Sequence, residues 1–584
     1  MSDSTPLTAG HDRRKFLGYF SAIGLGGTLL PGVLWAKVAD GEDITAATVA
    51  CAEEIAGLKF TDEQRQQMVD GLKSQEAQIE QLHAIQLDNS VAPALHFDPV
   101  PPGVTLKLPA KRPSVRSRVA PRAVPRDLEE LAFLPVTELA ELVRRRKVTS
   151  TQLTEMYLGR IRRYDPVLRA VITVTEERAL RQAKAADEEI ARGKYRGPLH
   201  GIPWGAKDLL AVKGYKTTWG AGPYRDQMID VDATVVQRLD AAGAVLIAKL
   251  TLGELAQGDI WFGGTTKNPW NLAQGSSGSS AGPASAAAAG LVGFAIGTET
   301  LGSISSPSTR NGVTGLRPTF GRVPRTGAMA LSWTMDKIGP IARSVEDCAL
   351  VLEAIHGPDN LDRTVKDIPF SWDATLKPTS LRVGYNKAAF DLPERNDRNQ
   401  LQHGTKRFDD AALGVLRKLG VTLIPVELPD MAYGAMRLVL TAEGAAAFDE
   451  LTRSGRDKEL VQQTPRDWAN TFRTARFIPA VEYLNANRVR TLAMQKWHAL
   501  FETVDVIVTP TGVGSQLTAT NLTGHPAVIL PSGFRDTSDT DKTQVPVSLT
   551  FLGGLYQEAR LLAVAKAWQD ATDFHLRHPV VKTG

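Results

Sequence analysis

The chain has little cysteine: two residues in 584, Cys51 and Cys348. That count excludes a disulfide framework and any metal site built from several thiolates. Cys348 lies in the stretch SVEDCALVL, which reads as a buried helix, so it is expected to be a structural thiol. There is no H-E-x-x-H pattern and no close cluster of Asp, His and Cys. Metal-dependent hydrolysis is therefore not indicated, and no cofactor is expected. Excess charge of one sign is also missing from the body. The net charge is +4, but Lys111 to Arg126 holds six basic residues and no acid, so the remainder is slightly acidic. Nothing there argues for nucleic acid as a partner, and the basic stretch reads as a solvated linker. Internal repeats and low-complexity tracts are absent. Beyond the N-terminus no stretch suits a bilayer span. Residues 284 to 297 are apolar but built from Ala and Gly, and they read as a buried helix in a globular core. With 43% hydrophobic and 23% charged residues, the composition is that of a soluble globular protein. Its length fits a large α/β enzyme domain with appendages.

Arg13-Arg14-Lys15-Phe16-Leu17 precedes a Gly-interrupted apolar stretch that runs to about Ala36. Paired arginines before a modest hydrophobic region resemble a twin-arginine export signal. That resemblance implies passage through the twin-arginine translocase and a periplasmic or exported protein. Lys37 disturbs the A-x-A pattern near Ala36 and Ala39, so an uncleaved form tethered to the inner membrane stays open. Residues 1–39 are read as this signal or anchor segment. Residues 40–126 are read as a helical extension followed by a linker. Thr61-Asp62-Glu63-Gln64 has the capping-box pattern and predicts a helix to about Leu82. Eight prolines between residues 91 and 126 then predict an extended connector.

The catalytic body is assigned to residues 127–584. Val171–Val174, Val245–Ala248, Val504–Val508 and Ala527–Leu530 read as strands between helical stretches. This alternation predicts an α/β fold with a central sheet covered by helices on both faces. Residues 357–500 read as mostly helical and charge-rich.

Two serines sit in loops of small residues, Gly275-Ser276-Ser277-Gly278-Ser279-Ser280-Ala281-Gly282 and Gly297-Thr298-Glu299-Thr300-Leu301-Gly302-Ser303-Ile304. Glycines at such places let backbone N–H groups approach a ligand closely. A serine held there is a candidate nucleophile if a base is near. The base candidate is Lys207, in Gly201-Ile202-Pro203-Trp204-Gly205-Ala206-Lys207-Asp208. With Gly315-Leu316-Arg317-Pro318-Thr319 and Asn521-Leu522-Thr523-Gly524-His525-Pro526, these stretches resemble the amidase signature family of serine hydrolases, from about Leu128 to about residue 575.

The resemblance implies the amidase signature fold, with its mixed sheet, and hydrolysis of a small carboxylic amide with no cofactor and no metal. It implies Ser303 as nucleophile, Ser279 on a cis peptide bond as proton relay, and Lys207 as base. The backbone N–H groups of Thr300, Leu301, Gly302 and Ser303 would form the oxyanion hole. Counting back from Ser303 places the relay at Ser279 and not Ser276, with Ser280 steadying the loop. The base role requires Lys207 to be neutral, and so to be buried. Three positions depart from the family pattern: Leu301 stands where a glycine is usual, Ser305 where an arginine is usual, and Ala281 where a glycine is usual. Trp219, Ile260, Trp261, Phe262 and Met329 are candidate pocket residues, suited to an aryl or alkyl amide. His200 and His525 are expected to be structural. Other readings stay open: the glutamine-hydrolysing subunit of a tRNA-dependent amidotransferase, a non-catalytic binding protein, and an esterase using Ser280 within Gly278-Ser279-Ser280-Ala281-Gly282. A homodimer is left open as an assembly.

Overall fold

The computed structural model describes residues 44–582, apart from 57–58, 84–87, 92–94, 109, 121 and 539. The paired arginines and the apolar stretch after them lie outside the described residues. The chain divides into two compact units, one running to Asp88 and including Arg476–Glu482, the other formed by Asn89–Ala475 and Tyr483–Gly584.

In the first unit, helices Ala46–Ala56 and Asp62–His83 are joined by a forked ion pair, with Arg65 Nε and Nη2 at 2.8 and 2.9 Å from the two oxygens of Glu53. The second helix begins as its sequence predicts. Gln64 N donates to Thr61 Oγ1 at 3.2 Å, and Thr61 N donates back to Gln64 Oε1 at 2.8 Å.

The second unit is built on one mixed sheet of eleven strands. In chain order they are β1 (Val171–Val174), β2 (Pro203–Lys207), β3 (Val245–Leu250), β4 (Phe294–Glu299), β5 (Thr314–Arg317), β6 (Lys337–Ala342), β7 (Val383–Asn386), β8 (Leu423–Val426), β9 (Val506–Pro510), β10 (Ala527–Asp536) and β11 (Gln544–Gly553). Their spatial order is β1-β3-β2-β4-β6-β5-β10-β11-β9-β7-β8. β2 runs parallel to both β3 and β4, and the centre from β4 to β9 is antiparallel throughout. Successive strand residues point to opposite faces. Every residue of β2, β3, β4 and β6 is buried, so both faces of the sheet are covered there. Helices Ala281–Ala288, Val345–Ile355 and Glu558–Asp570 pack against these and neighbouring strands.

Two sequence expectations change. Residues 284–297 are not one helix. The helix stops at Ala288, Gly290 takes a left-handed turn with φ +63°, and β4 begins at Phe294. Residues 357–500 contain helices but also contribute β7 and β8, which extend the sheet in parallel beyond β9. The described residues of the Pro-rich segment pack along the body. Phe97 meets Phe320 edge-on at 5.0 Å, and Val100 and Leu106 pack on Ile368, Leu555 and Tyr556. Its basic residues stay largely exposed, yet Arg116 reaches Glu353 at 3.0 Å and Arg122 reaches Glu138 at 2.8 Å. Prolines impose an extended path, and the apolar side chains between them find partners on the body.

Candidate active site

Lys207 is the last residue of β2 and is fully buried. Its Nζ lies 2.8 Å from Ser279 Oγ, 2.9 Å from Thr298 Oγ1, 3.1 Å from Ser280 Oγ and 3.4 Å from the Thr298 carbonyl. These partners are hydroxyls and a carbonyl, not carboxylates. Burial disfavours the ammonium and brings the pKa down to about 7, against a smaller opposing pull from Asp336 and Glu299. A neutral amine has two N–H bonds and one lone pair, so one of the surrounding hydroxyls can donate to it. Ser280 Oγ is directed to the Thr298 carbonyl at 3.0 Å. Ser279 Oγ at 2.8 Å and Thr298 Oγ1 at 2.9 Å remain as hydroxyls that can donate to the lone pair.

Ser279 follows a cis peptide bond from Gly278. Gly278 has no room for a side chain, since a Cβ there would lie 1.7 Å from the Gly258 carbonyl oxygen. Ser280 opens helix Ala281–Ala288, and its N–H donates to the Ser303 carbonyl at 3.0 Å, tying the two serine loops together.

The second loop leaves β4, the parallel neighbour of β2. Gly302 has φ +89°, in the region that favours glycine, and Ser303 is 8% exposed. Among the described residues, the N–H groups of Leu301, Gly302 and Ser303 have no protein acceptor, whereas Ile304 N and Ser305 N both donate to Glu299 Oε2 at 2.8 Å. Leu301 lies outside the left-handed region, so its side chain adds no backbone strain there.

Glu299 organises the loop from beneath. Its Oε2 also accepts from Ser305 Oγ at 2.9 Å, and its Oε1 accepts from Arg317 Nη1 at 2.8 Å and Asn521 Nδ2 at 2.7 Å. Burial alone would raise its pKa, but Arg317 and these donors outweigh that and hold it at about 2. Three motif stretches thus meet on one carboxylate. The cation comes from strand β5 through Arg317, while Ser305 supplies only a hydroxyl and an N–H. Sequence alone does not single out Arg317 or Asn521 as site residues, although both lie in the motif stretches. Thr298 likewise emerges only from the structure.

A second buried lysine stands one strand away. Lys249 of β3 is 2.7 Å from Asp208 Oδ1, with both side chains fully buried, and also donates to Thr217 Oγ1 at 2.6 Å. Asp208 in turn accepts from Thr218 N at 2.8 Å and Thr218 Oγ1 at 2.5 Å. This network fixes the backbone next to Lys207.

The remaining candidates separate. A cavity of about 450 Å³ is lined by Thr298, Thr300, Leu209 and Met329 among others. Of the five candidate pocket residues only Met329 lines it. Trp219 packs on Tyr224 and Phe448, and Trp261, within the short ribbon of Ile260–Trp261 and Gly264–Thr265, meets Phe262 edge-on at 4.9 Å. A second cavity, of about 320 Å³, is lined by Ser277, Ser305, Ser306 and Leu517 among others. His200 Nδ1 accepts from Arg196 N at 3.1 Å, and His525 Nδ1 meets Thr523 Oγ1 at 2.8 Å. Burial lowers both pKa values, that of His525 to about 3, so both rings are neutral. Ser280 has Lys207 and Thr298 as partners and no histidine, unlike an esterase nucleophile. Cys348 is buried and free, its Sγ turned to the Thr314 carbonyl at 3.7 Å; Cys51 is also free.

Fold and motif stretches together define an amidase, and the chain belongs to the amidase family, whose profile matches residues 152–520. It is 36% identical over 490 residues to a glutamyl-tRNA(Gln) amidotransferase subunit from Methylococcus capsulatus, covering 76% of this chain and 98% of that protein. It is 34% identical over 500 residues to the corresponding amidotransferase subunit from Moorella thermoacetica, covering 77% and 99%. Among solved structures it is similar to the peptide amidase of Stenotrophomonas maltophilia, at 32% identity and a TM-score of 0.67, covering 78% of this chain and all of that one. The family places the chain among enzymes that act on amide C–N bonds.

Proposed function

We propose that this protein hydrolyses a carboxylic amide through an acyl-enzyme on Ser303, with Ser279 as relay and Lys207 as base. The observation that carries this reading is a buried lysine whose Nζ meets hydroxyls rather than carboxylates, with Ser279 Oγ nearest at 2.8 Å. Ser303 Oγ attacks the amide carbon and its proton passes to Ser279 Oγ, while the Ser279 proton moves to Lys207 Nζ. The carbonyl oxygen takes up the negative charge and is received by the N–H groups of the 300–303 loop; each such donor contributes roughly 3 kcal/mol. Collapse breaks the C–N bond, and the leaving nitrogen receives the proton from Lys207 through Ser279. Water then repeats the sequence on the ester and releases the acid.

Fluorophosphonate labelling with mass-spectrometric mapping of the adduct, run beside Lys207→Ala, tests this. An adduct on Ser303 that depends on Lys207 is expected. An adduct on Ser280 would replace the assignment with the esterase reading, and no adduct at all would favour a non-catalytic binding protein.

A second reading has its own support. The 36% identity to an amidotransferase subunit, over nearly all of that protein, favours glutamine as the amide and a partner that receives the ammonia. Ammonia release from glutamine, measured beside release of amine from alkyl and aryl amides, separates the two. The paired Arg13 and Arg14 support export by the twin-arginine route, which would take the protein away from charged tRNA and so favours the free amidase. Retention of an Arg13→Lys, Arg14→Lys variant in the cytoplasm is the expected result, and its continued export would remove the signal assignment.

A further inference from the structure

The 450 Å³ cavity shares two residues with the catalytic strand and its loop. Thr298 Oγ1 is 2.9 Å from Lys207 Nζ, and Thr300 opens the loop that leads to Ser303; both line the cavity. Much of the remaining wall is apolar, including Leu209, Met329, Leu331 and Ile338. Arg325 also lines it, but its guanidinium is closed on Asp362 at 2.8 and 3.1 Å.

One wall comes from outside the part of the chain that matches the family. Asn89, Leu95 and His96 line the cavity, whereas the family match begins at residue 152. This wall is anchored on both sides of Leu95. Asn89 Oδ1 accepts from Ala330 N at 2.8 Å, and its Nδ2 donates to the Ala330 carbonyl at 3.0 Å and the Ala447 carbonyl at 3.3 Å. Phe97 lies edge-on to Phe320, and the Arg490 guanidinium sits 3.6 Å from its ring centroid. Between these anchors Leu95 is 70% exposed. Leu361, on the loop that also carries Asp362, lines the same cavity and is 71% exposed. Both leucines have apolar area left to bury against an apolar ligand in this cavity.

We propose that Asn89, Leu95 and His96 form a specificity wall of the amidase site, and that the cavity they complete takes the alkyl or aryl substituent of the amide. This rests on the Ser303 reading above. This wall lies outside the matched family segment, and binding at the site should strengthen with the length of an apolar chain.

The test uses the full-length protein and the rate at which Ser303 is modified by a short and a long alkyl fluorophosphonate. The long chain is expected to react about tenfold faster, as follows from burying roughly two methylene groups. Leu95→Asp should bring that ratio back toward one, and Asn89→Ala should shift it in the same direction by releasing the wall. Leu95 is exposed, so a melting temperature close to the parent's is expected and certifies the fold. If Ser303 is labelled but the ratio is the same in parent and both variants, the substituent goes elsewhere, with the 320 Å³ cavity next in line, and the wall proposal is overturned alone. If Ser303 takes no label from either probe, the amidase reading itself falls and the proposal falls with it.

Discussion

Lys207 and Lys249 are both fully buried, on adjacent parallel strands, at the same end of the sheet. Burial disfavours the charge of both. Their partners set them apart. Lys249 touches Asp208 at 2.7 Å, which restores the case for an ammonium, while Lys207 touches hydroxyls and a carbonyl. One lysine is thus paired with a buried carboxylate and the other only with neutral oxygens. Burial is common to the two lysines, so what separates them is the carboxylate that touches one of them.

The largest test of that comparison removes each lysine in turn. Lys207→Ala should cut kcat by about 10³-fold, and Ser303→Ala by about 10⁴-fold, both with an intact fold by circular dichroism. Lys249→Met should do the opposite. It strands the Asp208 carboxylate in the core, costing about 3 kcal/mol or more of stability, while the folded fraction keeps its turnover. A thermal melt beside an active-site titration reads both. Equal effects of the two substitutions on kcat would erase the distinction.

Removing the anchor beneath the oxyanion loop comes next. Glu299→Gln leaves the buried Arg317 without its counter-charge and loosens the N–H groups of Ile304 and Ser305. A fall in kcat of about a hundredfold is expected, with little change in KM, because the loop acts on the transition state and not on ground-state binding. A change confined to KM would show that Glu299 serves the substrate pocket instead.

The pH profile sharpens the same comparison. With its pKa near 7, Lys207 is protonated below that pH and has no lone pair to accept the relay proton. Accordingly, kcat/KM should fall about tenfold per pH unit below about 7 and level off above it. A flat profile from about pH 5 to 9 would remove Lys207 as the titrating base.

The fold class and the three side chains proposed to react are legible in the sequence through the resemblance of their motif stretches to the family. Lys207, Ser279 and Ser303 need only their short loops. The strands on which two of them depend, β2 and β4, give no such signal. PWGAK carries no alternation or β-branched run, and FAIGTE merges with the Ala/Gly segment before it. Arg317 and Asn521 lie 18 and 222 residues from Glu299, and periodicity carries no information about such a meeting. Trp219, Ile260, Trp261 and Phe262 resemble pocket residues in the sequence because they are close to the motif loops. The cavity takes walls both from residues beside the motifs, such as Leu209, Thr298 and Met329, and from distant ones such as Asn89 and Leu361.

The smallest expected effect belongs to Ser280→Ala, and it separates a supporting hydroxyl from a reacting one. Ser280 Oγ accepts from Thr298 N at 3.1 Å, donates to the Thr298 carbonyl at 3.0 Å and lies 3.1 Å from Lys207 Nζ. Its loss leaves Thr298 N without that acceptor, at a cost of about 1–2 kcal/mol in stability. The amine keeps Ser279 and Thr298 as partners, so the relay stays connected. A decrease in kcat of about threefold to tenfold follows, with the pH midpoint still near 7, because burial and not this hydroxyl sets the lysine's pKa. Under the esterase reading the same substitution removes the nucleophile and abolishes both turnover and labelling. Turnover within about tenfold of the parent, with the fluorophosphonate adduct still on Ser303, would leave Ser280 as the residue that steadies the loop; loss of the adduct would transfer the chemistry to it.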